Sequence, residues 1–163
     1  MMVAHPACAN TTYSFTLHSK SGKTLVSGRF TGRDANRDGW IDLKELTSFS
    51  ETRPLIFSGT CLSGRLGTGW RSSFDLNKLP VIVHSLKDLK HFRFAQRQRQ
   101  GNTFFEYETT TEKPVVVQGL HFWMSTELKE GGKKGAIFSG VGNGSEGIEL
   151  CEVEIEQLIV SPK

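Results

Sequence analysis

Asp34, Asn36 and Asp38 place oxygen-bearing side chains at alternate positions, and Gly39 follows directly. With Trp40, Ile41, Asp42 and Glu45 they fill each diagnostic position of the twelve-residue EF-hand loop, 34–45. Such a loop suits Ca2+, a hard ion that takes about six to eight oxygens. A curled chain can aim Asp34, Asn36 and Asp38 at one centre. Gly39 falls where the chain must turn in a way that a Cβ disfavours. Trp40 would offer its backbone carbonyl, Asp42 would act directly or through a water, and Glu45 would close the shell with both oxygens. Ile41 is the apolar residue expected to pack inward. Arg33 and Arg37 flank the ligands and weaken the attraction for a cation without abolishing it.

The flanks must position that loop. Residues 24–32 carry β-branched side chains, two glycines and no helical apolar stripe, so they read as a strand. Residues 43–49 read as a short helix, with Glu45 in its first turn, where a carboxylate suits the N-terminus. The predicted unit is therefore strand–loop–helix. No second loop pairs with it, so the groove that paired sensor hands open is not expected. A structural ion is expected instead, with affinity on the order of micromolar to millimolar.

The rest of the chain reads as strands. Its 163 residues suit one domain with one core, taken as 10–163. Its Gly count of 17, Pro count of 5 and Phe count of 11 point to many turns between aromatic-rich strands. Tyr13, Phe15 and Leu17 alternate with polar neighbours, and 24–31 returns as a hairpin after a turn at 21–23. Further strands are expected at 55–61, 81–83, 92–94, 104–110, 115–118, 120–124 and 136–141, and around Val153 and Ile155. Residues 86–89 read as a turn or short helix, 96–102 as a hairpin loop and 131–135 as a turn. The predicted fold class is all-β: an antiparallel β-sandwich or barrel with one short helix following the EF-hand-like loop.

Ala7-Cys8-Ala9 has the small-x-small form of a signal-peptidase site, and polar Asn10-Thr11-Thr12 follows. Residues 1–9 read either as the remnant of a signal peptide or as a chance match, because His5 and Pro6 stand where an apolar stretch belongs. In the first case Cys61 and Cys151 remain as a pair able to form a disulfide in an oxidising compartment. In the second, Cys8, Cys61 and Cys151 are buried, reduced thiols. No CxxC occurs, which removes zinc-ribbon and thioredoxin readings. A formal charge of +3 demands neither nucleic acid nor an acidic membrane as partner. No apolar run reaches the roughly 20 residues of a membrane helix.

Other constellations weigh less. Gly142-Asn143-Gly144-Ser145-Glu146-Gly147 matches GxGxxG but has no room for a βαβ unit after it, so it reads as a turn. His5, His18, His84, His91 and His121 show no compact ligand spacing, and no GxSxG occurs. A triad assembled in space leaves no sequence signature, because it is defined by geometry. Alternation in Phe92-Arg93-Phe94 puts Phe inward and Arg outward, rather than building a nucleic-acid face. Trp70 and Trp123 are candidates for a sugar platform or for the core. Glu152, Glu154 and Glu156 share one strand face, read as its solvent side.

Val26-Ser27-Gly28-Arg29-Phe30-Thr31-Gly32, running into Asp34-Ala35-Asn36-Arg37-Asp38-Gly39-Trp40-Ile41 and then Glu45-Leu46-Thr47-Ser48-Phe49, resembles a group of secreted bacterial proteins. These are frequent in cyanobacteria, and many carry PEP-CTERM sorting tails. Phe92-Arg93-Phe94 is similar more loosely. The specific part covers about a quarter of the chain. The resemblance implies export, a β-rich extracellular module and one calcium-type loop, with no assigned reaction. Surface anchoring is not implied, since Ile159-Val160-Ser161-Pro162-Lys163 holds no Pro-Glu-Pro motif.

The expected function is a non-catalytic, exported calcium-binding β domain, periplasmic or extracellular, with Ca2+ as a structural ion. Adhesion or matrix association is the expected wider task. Expected partners are the calcium ion and an extracellular polysaccharide or surface protein, not nucleic acid. Two alternatives stand beside it: a small secreted hydrolase whose site is assembled from separated residues, and a carbohydrate-binding module using Trp70 or Trp123.

Overall fold

The computed structural model describes residues 9–54, 81–97, 102–143 and 146–162, with 54, 97, 102, 139–143 and 146–151 described in backbone only. The strands are β1 (Thr11–His18), β2 (Thr24–Gly32), β3 (Ile41–Asp42), β4 (Leu46–Pro54), β5 (Val81–Ser85) and β6 (Leu89–Arg97). They continue as β7 (Asn102–Thr110), β8 (Val115–Val117), β9 (Leu120–Lys129), β10 (Lys134–Asn143), β11 (Glu146–Ile155) and β12 (Gln157–Pro162). They form two antiparallel sheets packed as a sandwich. Sheet A runs β12-β1-β2-β4-β5, and sheet B runs β11-β10-β9-β7-β6-β3, with β8 added beside β9.

The period-two pattern decides which side chains meet between the sheets. In β1, Phe15 and Leu17 are buried while Ser14 and Thr16 stay partly exposed. In β9, Leu120, Phe122, Met124, Thr126 and Leu128 point inward at every second position. Phe15, Phe30 and Phe49 from sheet A interleave with Phe92, Phe94, Phe105 and Tyr107 from sheet B. Phe30 is the hub. Its ring lies 4.9 Å from Phe94, 5.0 Å from Phe92 and 5.4 Å from Phe105 across the sheets, and 5.0 Å from Tyr13 on its own. Gly28 makes this density reachable: a Cβ there would run into the Phe15 ring and come within 2.7 Å of the Ser50 carbonyl.

The helix expected over 43–49 is not formed. A single 3-10 turn, Leu43–Glu45, is followed at once by β4. Leu43, Leu46 and Phe49 have helical spacing, but β2 offers an open ladder beside them. Pairing of Phe30 with Phe49, Thr31 with Ser48 and Gly32 with Leu46 buries Phe49 against Phe15, Phe92 and Tyr107. Thr47, Phe49 and Thr52 also favour a strand.

Residues 86–89 open with a second 3-10 turn, Leu86–Asp88. The turn expected over 131–135 begins one residue earlier, as the 3-10 turn Glu130–Gly132. Gln118 and Gly119, with φ of 51° and 83°, make the β8–β9 hairpin turn that needs two positive φ values. The strand expected at 55–61 lies outside the described residues.

Candidate metal centre

The loop sits where the chain crosses between sheets. β2 leaves sheet A at Gly32, β3 joins sheet B by pairing Ile41 with Phe94 and Asp42 with Arg93, and β4 returns to sheet A. The neck is tight: a Cβ on Gly32 would lie 2.8 Å from the Glu45 carbonyl and 2.9 Å from Ile41. Ile41 is buried, as its place in the loop predicts.

Inside the loop the acidic side chains collect backbone N–H groups. Asp34 Oδ1 accepts from the Asp38 N–H at 3.0 Å and Oδ2 from the Gly39 N–H at 2.7 Å. Asn36 Oδ1 also accepts from Asp38 N–H, at 3.1 Å, and the Asn36 amide donates to Asp38 Oδ2 at 3.2 Å. Asp38 Oδ1 accepts from the Trp40 N–H at 2.9 Å. Glu45 reaches back across the ring: Oε1 accepts from Ala35 and Asn36 N–H at 2.9 and 3.2 Å, and Oε2 from Asp42 N–H at 3.0 Å. Gly39 takes φ of 90° and Arg37 φ of 63°, left-handed values that glycine adopts freely and arginine does not.

Asp34, Asn36, Asp38 and Glu45 are thus joined in one hydrogen-bonded ring, and Asp42 and Trp40 join it through their N–H groups. Carboxylate and amide oxygens suit a hard cation in kind and order, and an oxygen that accepts one N–H keeps a lone pair for an ion. Among the described residues, however, no three His, Cys, Asp or Glu side chains are drawn together closely enough to hold a metal ion. The ring is looser than a closed coordination shell. The Trp40 ring leaves the loop and lies on sheet B, with Arg93 Cζ 3.7 Å above its centroid and the Phe104 ring 5.0 Å away edge-on. Arg93 therefore points outward between buried Phe92 and Phe94, as the alternation predicts.

A second polar site lies inside the sandwich. Glu51 is 0% exposed, and Arg53 and His84 are each 2% exposed. Glu51 Oε1 accepts from Thr126 Oγ1 at 2.8 Å, and Oε2 from Thr109 Oγ1 at 3.1 Å. His84 Nδ1 lies 3.2 Å from Glu51 Oε1 and His84 Nε2 lies 2.8 Å from Thr111 Oγ1. An ionised carboxylate only accepts, so Nδ1 carries the proton and a neutral His84 presents Nε2 to the Thr111 hydroxyl. Burial pushes the Glu51 carboxyl up, but the His84 hydrogen bond, the Arg53 charge and the Thr126 bond outweigh it and hold it below its ordinary value. Burial, with the Glu51 charge beside it, pushes the Tyr107 hydroxyl well above its ordinary range.

This cluster is absent from the sequence reading. Once 46–54 is a strand, Phe49, Glu51 and Arg53 share its inward face, and the signal becomes visible. Trp123 lies half-buried on the outward face of β9, 6.2 Å from the His121 ring. Trp70, Cys8 and Cys61 lie outside the described residues, and Cys151 is described in backbone only, so the pairing of Cys61 with Cys151 lies outside them too. No protein-family model matches the chain, and no curated protein or solved structure is significantly similar to it.

Proposed function

We propose that the protein is a non-catalytic, exported calcium-binding β domain in which the ion acts as a structural tie. Glu45 carries this reading: from the far end of the loop it reaches back to the amides of Ala35 and Asn36 and to that of Asp42. It closes the ring where a bidentate ligand would complete the shell. Asp34, Asn36, Asp38, the Trp40 carbonyl, Asp42 and Glu45 would hold Ca2+. Because the loop crosses from sheet A to sheet B and back, a bound ion would fix β2, β3 and β4 against one another. The resemblance to secreted bacterial β-rich proteins supports export to the periplasm or beyond. Adhesion or matrix association, toward a polysaccharide or surface protein, is the proposed wider task. No helix among the described residues is long and apolar enough to cross a membrane.

Terbium titration of metal-free protein tests this. Trp40 occupies a loop position next to the proposed ion, and its indole, seated close by on sheet B, should sensitise terbium emission. Calcium should displace that emission, and Asp34→Ala and Glu45→Gln should abolish it. At calcium about 100-fold above Kd, the ion should add about 2.7 kcal/mol. That corresponds to a rise in melting temperature of about 5–10 °C for a domain of this size. Absent emission together with unchanged melting would reduce the loop to a hydrogen-bonded cap.

One observation favours a second reading, a hydrolase assembled from separated residues. Glu51, His84 and Thr111 form a carboxylate–imidazole–hydroxyl relay, the order of roles that activates a nucleophile. Glu51 and His84 are enclosed, and Thr111 is half-buried. In this reading a fluorophosphonate probe should label Thr111 in the wild type and fail to label Thr111→Val or His84→Ala. An unlabelled wild type would leave the relay as a structural network.

A further inference from the structure

Arg53 holds its charge inside the sandwich with most of its hydrogen-bonding capacity unused. Its Nη1 makes a long bond of 3.4 Å to the Ser125 carbonyl. Among the described residues its Nε and Nη2 have no hydrogen-bond partner, and the Tyr107 hydroxyl, though close to Glu51 and Thr126, makes no hydrogen bond of good geometry. The residues are 2% and 0% exposed, so bulk solvent does not reach them. The two unused nitrogens are not scattered. They are the adjacent pair along one edge of the planar guanidinium, the fork that grips two oxygens side by side. Glu51 does not fill it: its oxygens accept from His84, Thr126 and Thr109, and neither Nε nor Nη2 hydrogen-bonds to it.

We infer that this buried edge of Arg53 is a binding site for a small oxygen-bearing guest, gripped by Nε and Nη2 with the Tyr107 hydroxyl as third contact. Enclosure limits the guest to the size of formate, nitrate, bicarbonate or one or two waters. Glu51 and Arg53 already cancel in charge. A water leaves the cluster neutral, whereas an oxyanion adds one negative charge beside a guanidinium shaped to receive it. Both sources supply the same chemistry, acceptor oxygens in a plane.

Melting of the intact protein in formate and nitrate series, against chloride at constant ionic strength, separates the two. A crystal structure grown without those anions completes the test. A saturable rise in melting temperature with formate or nitrate beyond that in chloride identifies an oxyanion. No such rise, with ordered water oxygens within hydrogen-bond distance of Nε and Nη2, identifies water. Tyr107→Phe removes a single hydroxyl and is expected to fold. It should weaken the half-saturating anion effect several-fold in the first case, and displace a water in the second. A dry fork, or one turned onto a protein acceptor, together with melting indifferent to the anion, would overturn the inference.

Discussion

Glu51→Ala should destabilise the protein by about 3–5 kcal/mol, a large part of the roughly 5–15 kcal/mol that holds a typical domain together. Glu51 is fully buried and accepts from His84, Thr109 and Thr126. Its removal strands those donors and leaves the Arg53 charge without its counter-ion. Urea unfolding should show an earlier midpoint at unchanged slope. Arg53→Met in the same chain should recover much of the loss, because an unpaired buried charge, rather than a missing contact, dominates it. An additive double mutant would show that the two groups are not coupled.

The same carboxylate makes stability depend on pH. Its folded pKa lies below the ordinary 4.5. As pH falls, the unfolded chain takes up the proton first. The stabilisation is therefore complete above the ordinary value and is lost as pH drops through it toward the lower folded value. Unfolding free energy should decline as pH falls through the ordinary carboxylate range, and Glu51→Gln should flatten that decline.

Phe30→Ala is the second large effect expected, about 3–5 kcal/mol. The Phe30 ring is wholly buried and meets Tyr13, Phe15, Phe92, Phe94 and Phe105. Those neighbours come from both sheets, on backbones that hydrogen bonding holds in place. The cavity cannot close without shearing one sheet over the other. Loss of near-ultraviolet circular dichroism should accompany the drop in urea midpoint. Phe30→Leu, which keeps most of the volume, should cost clearly less.

These two residues differ in how openly the sequence shows them. Phe30 belongs to a strand whose inward apolar residues alternate with outward polar ones, and the same holds across β1 and β9. That alternation is a local property and can be read from a single segment. Segment 46–54 could not be read so. Leu43, Leu46 and Phe49 mimic a helical stripe, and Glu51 and Arg53 are charges that hydropathy sends outward. What decides the matter is the open edge of β2 across the loop, and the donors on His84, Thr109 and Thr126, far along the chain, that meet Glu51. The EF-hand-like loop stands between these cases. Its residue types and order are written in a row, so the loop and its inward Ile41 were legible, but the ring of hydrogen bonds was not. Nor was the distance between the carboxylates, which is a property of the folded loop.

Sheet A joins β1 to β12, with Tyr13 opposite Pro162 and His18 opposite Gln157. β1 lies between β2 and β12, so one side of its ladder pairs with a neighbour in sequence and the other with a strand nearly the whole chain away. Such pairing closes a very long loop, which places it late and makes folding slow. During synthesis, β1 and β2 can form their hairpin early, while the second edge of β1 waits for β12. Until then it presents unpaired backbone groups on a strand carrying Tyr13, Phe15 and Leu17. Folding intermediates should therefore be most prone to self-association along this edge, and least so once β12 has docked.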